Sequence, residues 1–294
     1  MKNLIKKSWS FLADFFNPKE WLKLLRSVPA VALALIFVAN VLMNILAAKS
    51  IINVPATFNS TNWFISGDPE RDLWLVQDAG IIVSWVGFLA GDLLVKAFGS
   101  KNAIRINITS LVLSLFISLL LIGVSKVPGN WSPIWNDSLN PSIVLEGVDP
   151  TATGEARIIN GALNEVIGNV WYVILGSAAA TFVGILVNNI TQGILLKKMI
   201  KKHGDRYFGY FVAAGASTVF GQVIDNIVFA VLVGIPFFRW SLFSVLMCSL
   251  LGGLVELVAE MIFTPLTYKI SQNWAKNKIG QDWMKEEVKQ VKAA

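Results

Sequence analysis

The residues with the most chemical content sit where a polar side chain is costly. Long apolar stretches carry Asn40 and Asn44; Asp92 beside Gly87 and Gly91; Asn188, Asn189 and Gln192; Gln222, Asp225 and Asn226; and Glu256 and Glu260. The Asn40/Asn44 and Glu256/Glu260 pairs are spaced four apart, which puts each pair on one face of a helix. An ionised carboxylate in hydrocarbon needs water, a cation or hydrogen-bond donors, so such residues mark function by default. Amides offer both donors and acceptors, and a carboxylate accepts two parallel N–H bonds. With Trp85, Phe88, Trp171, Phe220 and Phe229 in the same stretches, the set suits a flat heterocycle with an N–H-rich edge, stacked on aromatic faces. The candidate substrate-binding residues are Asn44, Asp92, Asn188, Gln192, Gln222, Asp225, Asn226, Glu256 and Glu260. Asp225 leads them, because its own stretch holds no basic residue. Asp92 and Lys96 read either as a pair marking a span end or as part of the site, with Lys96 facing Glu256 or Glu260. The two glutamates also suit a coupling cation or a proton relay. The segments GILVNNITQGIL (184–195) and GQVIDNIVFAVL (221–232) look alike, each with polar residues one turn after a glycine, which points to related helices meeting around one site.

Only a membrane places so many polar groups in apolar surroundings. Of 294 residues, 54% are hydrophobic and 15% charged, and mean hydropathy is +0.60. Soluble domains carry about 25% charged residues. One cysteine, Cys248, excludes a disulfide scaffold. Apolar stretches near 27–48, 79–98, 104–125, 168–196, 210–236 and 241–268 predict an all-α integral membrane protein with six transmembrane helices. The first is too long for a cleaved signal peptide, and six Lys/Arg precede it.

The basic residues orient these spans. Segments 1–26, 96–105, 197–206 and 269–294 hold 20 of the 25 Lys/Arg, against five on the other side. Lysine and arginine favour the cytoplasmic side, so both termini are expected there. The charge of +6 is thus spread along one membrane face; it predicts contact with anionic lipids and argues against nucleic acid. Residues 1–26, mixing Trp9, Phe11, Phe15, Phe16 and Trp21 with lysines, read as an amphipathic interfacial segment broken near Asn17-Pro18. Residues 27–268 form the six-helix domain. Residues 269–294 form a cytoplasmic tail, with Trp274 and Trp283 as further interfacial anchors. Two long outside loops, 50–77 and 126–166, suit membrane-interface tryptophans or a lid.

No catalytic, metal or cofactor motif stands out. His203, the only histidine, lies in a basic loop, and there is no P-loop, G-x-S-x-G or H-E-x-x-H. The expectation is therefore a protein that is no enzyme and does not hydrolyse ATP itself.

Several stretches resemble the putative vitamin uptake transporters, also called queuosine precursor transporters. They are Asn44–Lys49, Gly91-Asp92 through Gly99 and Arg105, Ser217-Thr218-x-x-x-Gln222-x-x-Asp225-x-x-x-Phe229, and Thr264-Pro265-Leu266-x-Tyr268, with a weaker match at Ala162–Asn164, Gly168 and Ser177. The resemblance implies a six-helix layout similar to the substrate-binding subunits of energy-coupling-factor importers. It also implies a small heterocyclic cargo such as 7-cyano-7-deazaguanine or its aminomethyl relative, imported across a bacterial plasma membrane. The chain departs from the family pattern at Lys96, where the family carries Glu; at Glu256, where the family carries Lys; and at Asn188 and Phe263, where the family carries acids. The alternatives are a binding subunit served by an external ATPase module, with Ala178-Ala179-Ala180 as the one Ala-rich stretch, and a non-transporting scaffold.

Overall fold

The computed structural model describes residues 15–126 and 171–285. Trp9, Phe11, most of loop 126–166, the Ala162–Gly168 match and the last tail residues lie outside them.

The chain opens with α1, Pro18–Ser27. Asn17 caps it, its side chain accepting from the Lys19 N–H at 3.1 Å, and Pro18 takes the first helical position, where its missing N–H costs nothing. The expected break at Asn17-Pro18 is thus a helix start. The chain then turns 108° into α2, Ala30–Leu46, because Pro29 disfavours helix at Val28.

Helices α3 (Ile81–Phe98), α4 (Ser100–Lys126), α5 (Trp171–His203), α6 (Tyr207–Phe229) and α7 (Leu242–Lys276) follow. Each is long and apolar enough to cross a membrane. Helix α2 has 17 residues and meets that test only together with α1, so the candidate spans number five or six. Lipid-facing side chains such as Val31, Phe116, Phe220 and Ile262 are exposed, as the bilayer requires of an apolar outer surface. Helix α6 runs into a π-turn at Ala230–Gly234, closed by the Ile235 N–H on the Ala230 carbonyl at 2.8 Å. Helix α5 stops at Gly204, whose φ of +74° suits a residue without a Cβ.

The segment read as an outside loop contains an antiparallel hairpin. β1 (Ser50–Pro55) pairs with β2 (Leu73–Asp78), with irregularities at both ends of the register. The hairpin is fixed to the start of α7. The Leu73 N–H donates to Ser244 Oγ at 2.5 Å, and Ser244 Oγ donates to the Arg71 carbonyl at 2.7 Å. Asp72 holds the hairpin loop, accepting from the Ser66 and Gly67 N–H groups at 3.1 and 2.7 Å. Burial alone would raise its pKa, but hydrogen bonds from Ser241, Ser66 and Gly67 hold it below the ordinary 3.8.

The opposite end of the bundle carries the lysine-rich end of α5 together with α1 and residues 277–285. Trp274 and Trp283, expected as interfacial anchors, are instead buried in a core with Leu24, Val28, Ile36 and Phe98. Trp283 Nε1 donates to Ser27 Oγ at 3.0 Å. Trp63 and Trp74 of the hairpin region are exposed, as interfacial tryptophans are.

Candidate functional site

The nine candidate residues do not converge on one point. They fall into two clusters at different depths, and the crossing of α5 and α6 explains the division. A Cβ on Gly184 would stand 3.0 Å from the Gly221 carbonyl oxygen and 2.6 Å from Asp225 Cβ. A Cβ on Gly221 would stand 3.0 Å from the Gly184 carbonyl oxygen and 2.8 Å from Asn188 Cβ. Only glycine permits so close an approach. The contact is reciprocal, so the two look-alike segments are related by a local two-fold axis. That axis sends Asp225 toward the hairpin and Asn188 toward the lysine-rich end.

The hairpin-side cluster surrounds a cavity of about 40 Å³. Asp225 and Asn226 of α6, Glu256 of α7 and Asp78 of β2 line it, with hydroxyls from Ser84, Ser177 and Thr181. Phe229 is the predicted aromatic found in its wall. No lysine or arginine lines it. Ser84 Oγ donates to Glu256 Oε1, while Glu256 Oε2 and Asn226 Nδ2 are buried without a protein partner. Asp78 lies outside the spanning helices; burial pushes its pKa from 3.8 to about 7, against backbone hydrogen bonds from Gly80 and Ile81. The cavity admits a few water-sized groups and is far below the roughly 300 Å³ of a small-molecule site.

Asn44 stands just behind the wall, where Ser177 Oγ donates to its Oδ1 at 2.9 Å. It ties α2 to α5. Gln222 is fully buried beside Gly253 of α7, with neither amide atom paired.

The lysine-side cluster is a buried hydrogen-bond network. Asp92 of α3 accepts from Asn188 Nδ2 at 2.8 Å, and Gln192 Nε2 donates to the Asp92 carbonyl oxygen at 3.2 Å. Glu260 of α7 lies in hydrogen-bond contact with the Asp92 carboxyl group. Thr264 Oγ1 donates to the Glu260 carbonyl at 2.6 Å and lies 3.1 Å from Glu260 Oε1. That hydroxyl serves a stretch of α7 where Pro265 has no N–H to give. Gly91 sits under Asn189 Oδ1, 3.2 Å from where a Cβ would be, and Gly87 under Asn40 Oδ1 at 2.7 Å. The glycine pair thus admits amides from two different helices.

Three expectations are corrected. Lys96 does not meet Glu256 or Glu260; its ammonium pairs with Asp205 at 2.5 Å and lies over the rings of Tyr210 and Tyr268. Asp205 sits in the α5–α6 turn, where a charge is cheap, and no residue spacing signals this pair. Trp171 and Phe220 are exposed on the outer surface, and Trp85 stacks on Phe263 with ring centroids 4.4 Å apart, beside an outward apolar groove. Sequence reasoning also missed Asp78, Ser84 and Thr181, which became cavity residues only through the hairpin and the helix packing. Among the described residues, no group of three or more His, Cys, Asp or Glu is arranged to hold a metal ion.

A multi-pass membrane bundle with buried carboxylates along its axis is the class that the fold defines. Within that class the chain belongs to the putative vitamin uptake transporter family, whose match covers residues 78–270, about two-thirds of its length. The match begins at Asp78 and contains both polar clusters. No curated protein and no solved structure matches the chain.

Proposed function

We propose that the protein imports a queuosine precursor, 7-cyano-7-deazaguanine or a related deazapurine, across a bacterial plasma membrane. One observation carries the reading: three carboxylates, Asp78, Asp225 and Glu256, line one buried cavity that no basic residue neutralises. Such a site calls for a ligand rich in N–H groups. In this reading Asp225 accepts from the amino-imino edge of the cargo. Asn226 and Glu256 contact the rest of its polar rim, and Phe229 stacks on the ring. Asn44 and Gln222 position the wall. Asp92, Asn188, Gln192 and Glu260 act from below rather than on the cargo.

The hairpin end faces outside and the lysine-rich end faces the cytoplasm, in a six-span topology with both termini inside. The cavity is closed above by Gln77 and Asp78, so cargo entry requires the hairpin and the start of α7 to part. The external-ATPase alternative gains nothing from the Ala-rich stretch, since Ala178 and Ala180 are buried in the bundle.

Uptake of labelled 7-cyano-7-deazaguanine by cells expressing only this protein tests the reading. Saturable uptake without an added ATPase module is expected. Uptake of another vitamin, with none of any deazapurine, would replace the cargo. For topology, an Asn59→Cys variant should react with an impermeant thiol reagent from outside, because Asn59 is exposed and the native Cys248 is buried.

A further inference from the structure

We propose that Asp92 and Glu260 share a single exchangeable proton, and that this proton couples cargo movement to a proton gradient. The coupling half rests on the transport reading above; the shared proton does not.

Asp92 Oδ1 accepts from Asn188 Nδ2 at 2.8 Å, and Glu260 Oε1 lies 3.1 Å from Thr264 Oγ1, whose shorter bond goes to the Glu260 backbone carbonyl. The other oxygens, Asp92 Oδ2 and Glu260 Oε2, are buried with no protein donor, although the two carboxyl groups are in hydrogen-bond contact. Two ionised carboxylates in contact and out of water repel one another. One proton turns one of the two carboxyl groups into a donor to the other.

No fixed cation takes the place of that proton. On α3, Lys96 is committed to Asp205. On α6, the Tyr210 hydroxyl donates to Thr267 Oγ1 at 3.2 Å, and Asp225 points to the cavity. On α7, the next ionisable group is Glu256. Helix α5 offers the amides of Asn188, Asn189 and Gln192, α4 that of Asn107, and α2 those of Asn40 and Asn44. Arg105 of α4 donates to the Phe15 carbonyl at 3.1 Å.

The pair also lies between two openings. Glu256 is one helical turn from Glu260 and lines the cargo cavity with a free Oε2. Toward the other end, a cavity of about 260 Å³ lies against Lys96 and Asp205. In one form the pair takes its proton from the Glu256 carboxyl group, which water on the cavity side reloads, and in the other it gives the proton to water at the lysine end. No bond other than O–H forms or breaks. With its proton the pair carries one negative charge in place of two, which the packed bundle tolerates better, and release waits for water to reach it, which links protonation to opening.

The test uses purified full-length protein. Infrared difference spectra over a pH titration should show a carboxylic-acid C=O band that shifts in D2O and vanishes in both Asp92→Asn and Glu260→Gln. Asp92→Asn keeps shape and a donor toward Glu260, and gel filtration checks its fold. A wild-type spectrum without the band, or a band that survives both variants, would overturn the shared proton. In proteoliposomes, one pH unit, acid outside, should raise accumulation of labelled 7-cyano-7-deazaguanine about tenfold for one proton per cargo. Asp92→Asn should lose that response while counterflow exchange persists. Uptake driven by sodium and indifferent to pH would overturn the coupling. Should wild type move no deazapurine, the cargo reading fails, and the infrared band alone upholds or removes the proton site.

Discussion

The two polar clusters are built from the same side-chain types, related across the Gly184–Gly221 crossing, yet they are packed differently. On the hairpin side, Asp225 meets a cavity that Asp78 of β2 also lines. On the lysine side, its counterpart Asn188 is spent on Asp92, and four helices close over the pair. The difference shows that buried acids alone do not define a binding site. What separates a candidate ligand site from an internal hydrogen-bond network is whether neighbouring elements leave space beside the acids. The chain is asymmetric at the one position where the axis would pair two acids: Asp225 on one side, Asn188 on the other.

Breaking the crossing should abolish the comparison altogether. Gly221→Leu forces a side chain against the Gly184 carbonyl and Asn188. It should cost about 3 kcal/mol and remove uptake, read as loss of a monodisperse peak in gel filtration. A well-folded, active Gly221→Leu would show that the helices do not meet so closely.

Ser84→Ala sharpens the hairpin side. It strips Glu256 of its one protein donor, a loss worth about 1–3 kcal/mol, and should weaken cargo affinity roughly tenfold at unchanged expression. The matching deletion on the lysine side, Thr264→Val, should leave cargo affinity unchanged.

Asp78 gives the hairpin side a pH dependence. Its folded pKa of about 7 exceeds the ordinary 3.8, so the folded protein binds the proton more tightly. The resulting stabilisation is complete below about pH 4 and is lost as pH rises through about 7. Asp78→Asn should flatten that part of a melting-temperature profile; an unchanged slope would remove Asp78 as its source.

The smallest effect is expected at the rim. Asp205 is 51% exposed in its side chain, so the Lys96–Asp205 pair should contribute no more than about 1 kcal/mol. A double-mutant cycle with Lys96→Met and Asp205→Asn should give weak coupling, and a cycle of Lys96 with Glu256 none. Strong coupling between Lys96 and Glu256 would return the pairing that the family comparison implied.

The helices were legible because hydrocarbon demands long apolar runs; all six predicted stretches overlap helices, though α5 and α7 run on to His203 and Lys276, well past the predicted ends at 196 and 268. The hairpin was not. SIINVP and LWLVQD are short, lack clean alternation and gain their order from Ser244 and Asp72, partners distant in sequence or inside the loop. The polar residues themselves were legible through their cost. Their division was hidden, because an i, i+4 spacing fixes a helical face but not the neighbour it meets. Glu256 and Glu260 share a face, and only the packing sends one to the cavity and the other to Asp92. Trp274 and Trp283 misled for a related reason: a tryptophan among lysines reads as interfacial until another segment covers it.

The central claim is that cargo binds at the hairpin side and not at the lysine side. Equilibrium binding of labelled 7-cyano-7-deazaguanine to purified wild type, Asp225→Asn and Asp92→Asn tests it most directly. Asp225→Asn loses one of two N–H acceptors and should weaken binding by about 1–3 kcal/mol, ten- to hundredfold, while Asp92→Asn stays within about twofold of wild type at saturating proton concentration. Normal affinity in a well-folded Asp225→Asn, or an equal loss in Asp92→Asn, would contradict the account.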